Sequence, residues 1–185
     1  MKRLFIALPI PDSIADTLDE NIAVIKARLP FARFAPRENW HITMQFLGDQ
    51  PENILQPIQR AIAKTAARCA SPAITIRSLR YGPPGSSARM VWAVGSAAPL
   101  VSVRDMLIRL LNDEHLGLRL DERPLKLHVT LARFQKIMPV AQLPTLKESI
   151  DAQDTIPEIL LMESRLMSWG SEYSCIAQAD FTKQS

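Results

Sequence analysis

The chain has 185 residues, 47% of them hydrophobic, and its 22 Lys and Arg against 19 Asp and Glu give a formal net charge of +3. This length and apolar content suffice for one domain with a sizeable core, while the small charge gives no support for tight non-specific binding to a polyanion. Cys69 and Cys175 lie in neither a Cys-x-x-Cys pair nor a Cys/His cluster, which argues against a disulfide framework and a structural zinc. No apolar run approaches membrane length, so we expect a soluble cytoplasmic protein.

The first half of the chain is predicted to alternate strands and helices. Residues 3–8 have the apolar density of a buried strand, and Pro11 then begins a helix with its apolar residues on one face. Residues 40–47 alternate apolar and mostly polar side chains, as a strand with one buried face does. Asp49 is predicted to cap a second helix, and a further strand follows over residues 73–80.

The second half repeats this order of elements. Residues 89–94 form a strand at an offset of 86 (89 − 3) from the first, and a helix follows from Pro99. The next strand covers residues 125–131, and Pro139–Ser149 is predicted to supply the counterpart of the second helix. Two long strands complete this half, over residues 156–167 and 173–181.

The loop over residues 82–87 combines turn-forming and flexible residues, which makes it the best internal boundary. We therefore expect a single domain over residues 1–185, built from pseudo-repeat halves of roughly 1–82 and 88–181.

Two short motifs occupy equivalent positions in these halves: His41-x-Thr43 and His128-x-Thr130, with the histidines 87 residues apart (128 − 41). Because residues i and i+2 of a strand point to the same side, each motif places an imidazole beside a hydroxyl. A pseudo-two-fold arrangement of the halves would bring the two histidines together. Strict alternation predicts that the opposite face of the first strand enters the core, with Trp40, Ile42, Met44 and Phe46.

This pair of motifs suits phosphoester chemistry without a metal. Hydrolysis of a cyclic phosphodiester needs a base to deprotonate water and an acid to protonate the departing oxygen, and histidine can do either near neutral pH. Threonine hydroxyls can donate hydrogen bonds to the non-bridging phosphate oxygens. Each motif alone is a weak signal, but their duplicated context argues against coincidence.

The third histidine, His115, lacks this setting. It lies near a predicted helix end and precedes Gly117, a favoured residue at helix C-termini, so we interpret it as a surface residue. A metal site formed by His41, His115 and His128 would lack a carboxylate at a supporting spacing, and we expect neither a metal nor another cofactor.

The motifs resemble those of the two-histidine phosphoesterase superfamily. Within it the chain resembles the bacterial and archaeal RNA 2′,3′-cyclic phosphodiesterases, historically called 2′-5′ RNA ligases, over residues 3–7, 39–48 and 128–133. The resemblance implies an α+β, duplicated bilobal fold with antiparallel sheets flanked by helices and a central active-site cleft. It also implies hydrolysis of an RNA or nucleoside 2′,3′-cyclic phosphate to a 2′-phosphomonoester. Separately, we expect a monomer with no membrane partner.

The resemblance further implies roles for individual residues. His41 would be the proton donor and His128 the proton acceptor, although the pseudo-symmetry of the halves leaves this order open. Thr43 and Thr130 would assist, and Arg133 would contact phosphate. Strict alternation from His128 turns Arg133 to the opposite face, so its role requires a twist or a strand end nearby.

Substrate contacts and other functions are less sharply defined by the sequence. Five basic residues surround the second motif and fit either a phosphate site or a solvated surface: Arg119, Arg123, Lys126, Arg133 and Lys136. Four aromatic residues could stack on a nucleobase if they lined the cleft: Phe5, Phe46, Trp92 and Tyr173. The alternative functions are 2′-5′ RNA ligation, hydrolysis of another cyclic phosphate, and nucleotide or RNA binding without turnover.

Overall fold

The computed structural model describes residues 1–96, 98–146, 149–167 and 170–183. Its described part contains nine strands in one sheet and three α-helices. The strands are β1 Lys2–Pro9, β2 Ala32–Phe34, β3 His41–Gln50, β4 Ala73–Gly82, β5 Ser87–Ser96, β6 His128–Pro139, β7 Ala152–Thr155, β8 Glu158–Met167 and β9 Gly170–Asp180. The helices are α1 Asp12–Lys26, α2 Leu55–Arg68 and α3 Ala98–Asp113.

The sheet has the strand order β7-β4-β5-β6-β3-β1-β8-β9, and β2 pairs with β6 outside this path. All of these strands pair antiparallel. At the centre, β3 and β6 are joined by one residue pair, Ile42 opposite Val129. The sheet therefore consists of two lobes that meet at the strands carrying the two motifs. This arrangement confirms the predicted α+β fold with antiparallel pairing.

The strand order interlaces the two halves of the chain. The strand triplets β3-β1-β8 and β6-β5-β4 are equivalent, and each contains one strand from the other half. The predicted boundary loop, residues 82–87, is the turn of the hairpin between β4 and β5, which pair from Gly82 opposite Met90 onward. Gly and Pro favour a tight turn as much as a linker, so composition alone does not distinguish the two.

The helices begin where proline or turn residues precede an apolar stripe. Helix α1 follows Pro11 and α3 carries an inward apolar face, as predicted. Helix α2 begins at Leu55 after a 3-10 turn, so the predicted cap at Asp49 is wrong: that residue remains in β3 and pairs with Arg3. No described helix has the length and apolar character needed to cross a membrane.

The predicted helix over Pro139–Ser149 is also wrong within the described residues. A 3-10 turn covers Val140–Gln142, while Lys147 and Glu148 lie outside the described residues. The segment instead runs against β4, where the Tyr81 hydroxyl donates to the Pro144 carbonyl at 2.6 Å. The Ile150 N–H likewise donates to the Arg77 carbonyl at 2.7 Å, so tertiary hydrogen bonds replace the intrahelical ones that the duplication predicted.

Candidate active site

The two motifs lie at the centre of the sheet and face one cleft. Counting outward from the pair Ile42 and Val129, the antiparallel register aligns His41 with Thr130 and Thr43 with His128. All four of these side chains line a cavity of about 640 Å³. The structure thus brings together the residues that the duplicated motifs predicted.

A β-bulge after each motif changes which side chains reach this cavity. The ladder between β5 and β6 shifts between Val91 and Trp92, so that Leu131 and Ala132 are both buried and Arg133 turns to the cleft. Arg133 therefore lines the same cavity as the histidines, although strict alternation from His128 would place it on the opposite face of the strand. The bulge supplies the local irregularity that this position requires.

The same irregularity occurs in β3 and overturns one prediction. The ladder with β1 shifts between Ile6 and Ala7, so that Met44 and Gln45 are both buried. Phe46 then points into the cleft with 64% of its surface exposed, although strict alternation predicted that it enters the core. Trp40, Ile42 and Met44 are buried as predicted. Phe46 and Arg133 are equivalent positions of the two motifs.

Each histidine is oriented by a main-chain carbonyl two residues earlier. Nδ1 of His41 lies 2.7 Å from the Asn39 oxygen, and Nδ1 of His128 lies 2.9 Å from the Lys126 oxygen. Because a carbonyl oxygen only accepts, both Nδ1 atoms carry a proton and both Nε2 atoms are left for chemistry. A neutral imidazole held this way can accept a proton at Nε2, and a protonated one can donate it.

The His41 ring lies in an aromatic pocket. Its centroid is 5.0 Å from that of Phe5 and 5.2 Å from that of Tyr173. Burial lowers the pKa of His41, and the positive charges of Arg133 and His128 lower it further, while the hydrogen bond to Asn39 opposes the shift. In the free protein the neutral form of His41 is therefore favoured more than for a solvated histidine.

The His128 ring packs against a tryptophan instead. The Trp92 indole lies 4.4 Å from it, centroid to centroid, with the planes tilted by 42°. The same indole also covers Gly82 of β4, where a Cβ atom would overlap it. Gly82 therefore provides the space in which the indole supports His128, a role that the sequence pattern hid because Gly82 also begins a turn.

Most of the other predicted contact residues line one of two cavities. All four predicted aromatic residues line the first: Phe5, Phe46, Trp92 and Tyr173. Arg123 and Lys126 line an adjoining cavity of about 490 Å³ that shares His128 with the first. Arg123 is paired with Asp121 at 2.6 Å and holds the pKa of that carboxyl far below its usual range. Arg119 and Lys136 line neither cavity.

His115 lies apart from both motifs. It is exposed, with a backbone φ of 52° in the turn that follows α3. Among the described residues, no group of three or more His, Cys, Asp or Glu side chains is arranged to hold a metal ion. Asn39, Gly82 and Arg104 are residues near the site that the sequence did not single out, and their roles depend on main-chain contacts that motif spacing cannot reveal.

Comparison with known proteins shows that the chain is similar to phosphoesterases. A family model described as LigT-like phosphoesterase matches residues 8–92. The chain is 31% identical over 174 residues to an RNA 2′,3′-cyclic phosphodiesterase of Geobacillus stearothermophilus, covering 90% of this chain and 54% of that protein. It is 31% identical over 144 residues to the protein of the same name from Thermus thermophilus, covering 74% of this chain and 71% of that protein. The chain thus spans about half the length of the first relative.

Solved structures show the same fold. The crystal structure of TT0787 from Thermus thermophilus has a TM-score of 0.84 at 23% identity, covering 99% of this chain and 100% of that one. The crystal structure of Escherichia coli LigT complexed with 3′-AMP has a TM-score of 0.69 at 21% identity, covering 98% of this chain and 99% of that one.

Proposed function

The chain belongs to the LigT-like phosphoesterase family, and we propose that it hydrolyses the 2′,3′-cyclic phosphodiester of RNA ends or nucleosides to a 2′-phosphomonoester. The observation that carries this proposal is the pair of imidazoles in one cleft, each with Nδ1 bound to a carbonyl and Nε2 available. The names of the Geobacillus and Thermus relatives support the same reaction.

The proposed reaction is a single in-line displacement at phosphorus. Nε2 of neutral His128 takes a proton from water, the water oxygen bonds to phosphorus, and the bond from phosphorus to O3′ breaks. Nε2–H of protonated His41 gives its proton to the departing O3′. The product keeps the phosphate on O2′, and proton exchange with solvent restores the two starting protonation states.

Other residues in the cavity would stabilise the charge on phosphate. The hydroxyls of Thr43 and Thr130 line the same cavity and can each donate to a non-bridging oxygen. Both residues lie on strands, so these donors are in place before substrate arrives. Arg133 lies on the same face because of the bulge, and its exposed guanidinium can pair with the phosphate. The anion would also favour protonated His41 and so offset the lowering of its pKa by burial.

The site is complete within one chain because both histidines, both threonines and Arg133 line one cavity. The proposed enzyme therefore needs no second subunit for chemistry, and we expect it to act as a cytoplasmic monomer. Phe46 lines the cavity with 64% of its surface exposed, and its ring could stack on a base of a nucleotide substrate.

Product identification tests this function. A dinucleotide ending in a 2′,3′-cyclic phosphate is incubated with the protein and EDTA, and the phosphomonoester is assigned by phosphorus NMR. The proposal predicts the 2′-phosphate as the product. A 3′-phosphate would contradict the proposed bond cleavage, and binding without product after long incubation would favour a binding module.

Two further arms separate the alternative activities. Adding an RNA with a free 5′-hydroxyl would reveal a 2′-5′ linkage if that hydroxyl replaces water as the nucleophile. A panel of other cyclic phosphates would identify a different substrate if one of them reacts faster than the dinucleotide.

A further inference from the structure

A buried arginine on α3 joins segments that belong to both motifs. Arg104 is only 7% exposed and lies among the inward apolar residues of that helix. Its Nε donates to the Met44 carbonyl at 3.1 Å, Nη1 donates to the Arg123 carbonyl at 2.6 Å, and Nη2 donates to the Asp121 carbonyl. One guanidinium therefore connects three chain segments.

Each of these carbonyls is close to a catalytic group in the chain. Met44 directly follows Thr43 and lies at the bulge that shapes the first motif. Asp121 and Arg123 precede Lys126, whose carbonyl accepts the hydrogen bond from Nδ1 of His128. The guanidinium thus holds the residue next to Thr43 in the first motif. On the other side it holds carbonyls that lie three to five residues before Lys126, whose own carbonyl orients His128.

The sheet joins the two motifs at one central residue pair and through β2, which precedes the first motif and pairs with β6. Strands β3 and β6 are joined by the single pair Ile42 and Val129, and residues 114–127 contain neither helix nor strand. The ion pair between Asp121 and Arg123 is local to that segment and does not reach β3. Arg104 supplies a further connection between the lobes, beside the central residue pair and the pairing of β2 with β6.

The choice of arginine at this position fits such a connection. A buried cation is costly unless its hydrogen bonds are satisfied, and an apolar residue could fill an inward position of α3 without that cost. The planar guanidinium offers donors in several fixed directions, which allows one side chain to bind three carbonyls. A lysine would carry the same charge without that geometry.

We propose that Arg104 is a positioning residue that fixes the orientation of His128 relative to the first motif. The expected effect of Arg104 on kcat rests on the proposed function, whereas its effect on the orientation of His128 does not depend on the reaction. Loss of the guanidinium releases the segment that carries the Lys126 carbonyl, and the His128 ring loses its defined orientation.

The test compares Arg104→Met, Arg104→Lys and the control Arg109→Met, which changes an exposed arginine of the same helix. The expected result for Arg104→Met is a fall in kcat of about 10-fold to 100-fold with little change in KM, since displacements near 1 Å have such effects. Arg104→Lys should be intermediate, because it keeps the charge, and Arg109→Met should match wild type.

Imidazole nitrogen NMR gives a readout that depends on orientation and not on turnover. Wild type should show the Nδ1–H tautomer for both histidines. In Arg104→Met the His128 signal should change to a tautomer mixture while the His41 signal is retained. An inactive wild-type protein would contradict the proposed function and still allow this test.

The proposal is overturned if folded Arg104→Met keeps both wild-type kcat and the wild-type His128 signal. It is equally overturned if Arg104→Met and Arg104→Lys both fail to fold, because the residue would then serve folding. A fall in thermal stability alone, with kcat and the His128 signal unchanged, would also assign it a purely structural role.

Discussion

Substitution of Gly82 by Ala should impair the enzyme through the tryptophan that supports His128. A Cβ atom at position 82 would lie 2.5 Å from Cε2 and Cε3 of Trp92. Carbon atoms in contact are normally about 3.5 Å or more apart, so the indole must retreat by about 1 Å. The indole is 4.4 Å from the His128 ring, centroid to centroid, so this retreat disturbs that ring.

The size of the effect follows from that displacement. Overpacking of this kind costs about 1–3 kcal/mol of stability, which most domains can lose and remain folded. Misplacement of a catalytic group by about 1 Å can lower the rate by about 100-fold. We therefore expect a folded Gly82→Ala variant whose kcat on a cyclic-phosphate dinucleotide falls by about 10-fold to 100-fold.

The assay includes a compensating substitution as its control. Trp92→Phe reduces the ring, so the double variant Gly82→Ala/Trp92→Phe should recover activity relative to Gly82→Ala alone. Steady-state kinetics and circular dichroism are measured for Gly82→Ala, Trp92→Phe and the double variant. The reasoning is refuted if Gly82→Ala is fully active, or if the smaller ring brings no recovery.

Three further predictions concern the motifs. Thr43→Val and Thr130→Val each replace a hydroxyl by a methyl group of similar size and should lower kcat by about 100-fold. Serine at either position keeps the hydroxyl and should retain activity. A valine variant with wild-type kcat would exclude assistance by that hydroxyl. If His41 is the acid, His41→Ala should lose far less activity on a nucleoside 2′-(4-nitrophenyl phosphate) than on the cyclic phosphate, because nitrophenolate replaces O3′ as the leaving group and departs unprotonated. Equal losses on both substrates would reject this role. Burial lowers the pKa of His41 in the folded protein, so the unfolded chain binds a proton at this imidazole more readily than the folded one. The free energy of unfolding therefore decreases as the pH falls from about 6.5 through the lowered pKa. Denaturant unfolding should therefore show wild type losing stability relative to His41→Asn between pH 7.5 and pH 5, and parallel curves would contradict it.

The motifs were predictable because two properties of a strand are visible in sequence. Alternation places His41 beside Thr43, and duplication pairs that motif with His128 and Thr130; the structure has all four in one cavity. Both histidines are held by main-chain carbonyls two residues earlier, so this part of their support lies within the motif segment itself.

The bulges were not predictable from alternation alone. An inserted residue reverses the parity of the side chains that directly follow it, so alternation assigns Phe46 to the core although it faces the cleft. The alignment of the first strands shows a similar difference: Ala7 pairs with Thr43 and Trp92 with Thr130, an offset of 85 (92 − 7) and not 86. Residues Leu4 to Leu8 are all buried, so their pattern gives no indication of which face is which.

The interlaced strand order also lies beyond local patterns. Strand β8 pairs with β1 although about 150 residues separate them in the chain, and β4 pairs with its successor β5 across the predicted boundary. Turn composition indicates where the chain reverses and not which strands become neighbours. The role of Arg104 is hidden from sequence patterns for the same reason, because its partners are main-chain carbonyls on distant segments.

Hydrolysis of a cyclic-phosphate dinucleotide in EDTA by wild type, His41→Ala, His128→Ala and the double variant tests the central claim most directly. If an acid and a base act in one step, each single variant should lose at least about 1,000-fold in kcat. The kcat of the double variant should then be close to that of the single variants. His115→Ala, a change at an exposed histidine outside the cleft, should match wild type. Near-wild-type kcat in either folded single variant would contradict the two-histidine account.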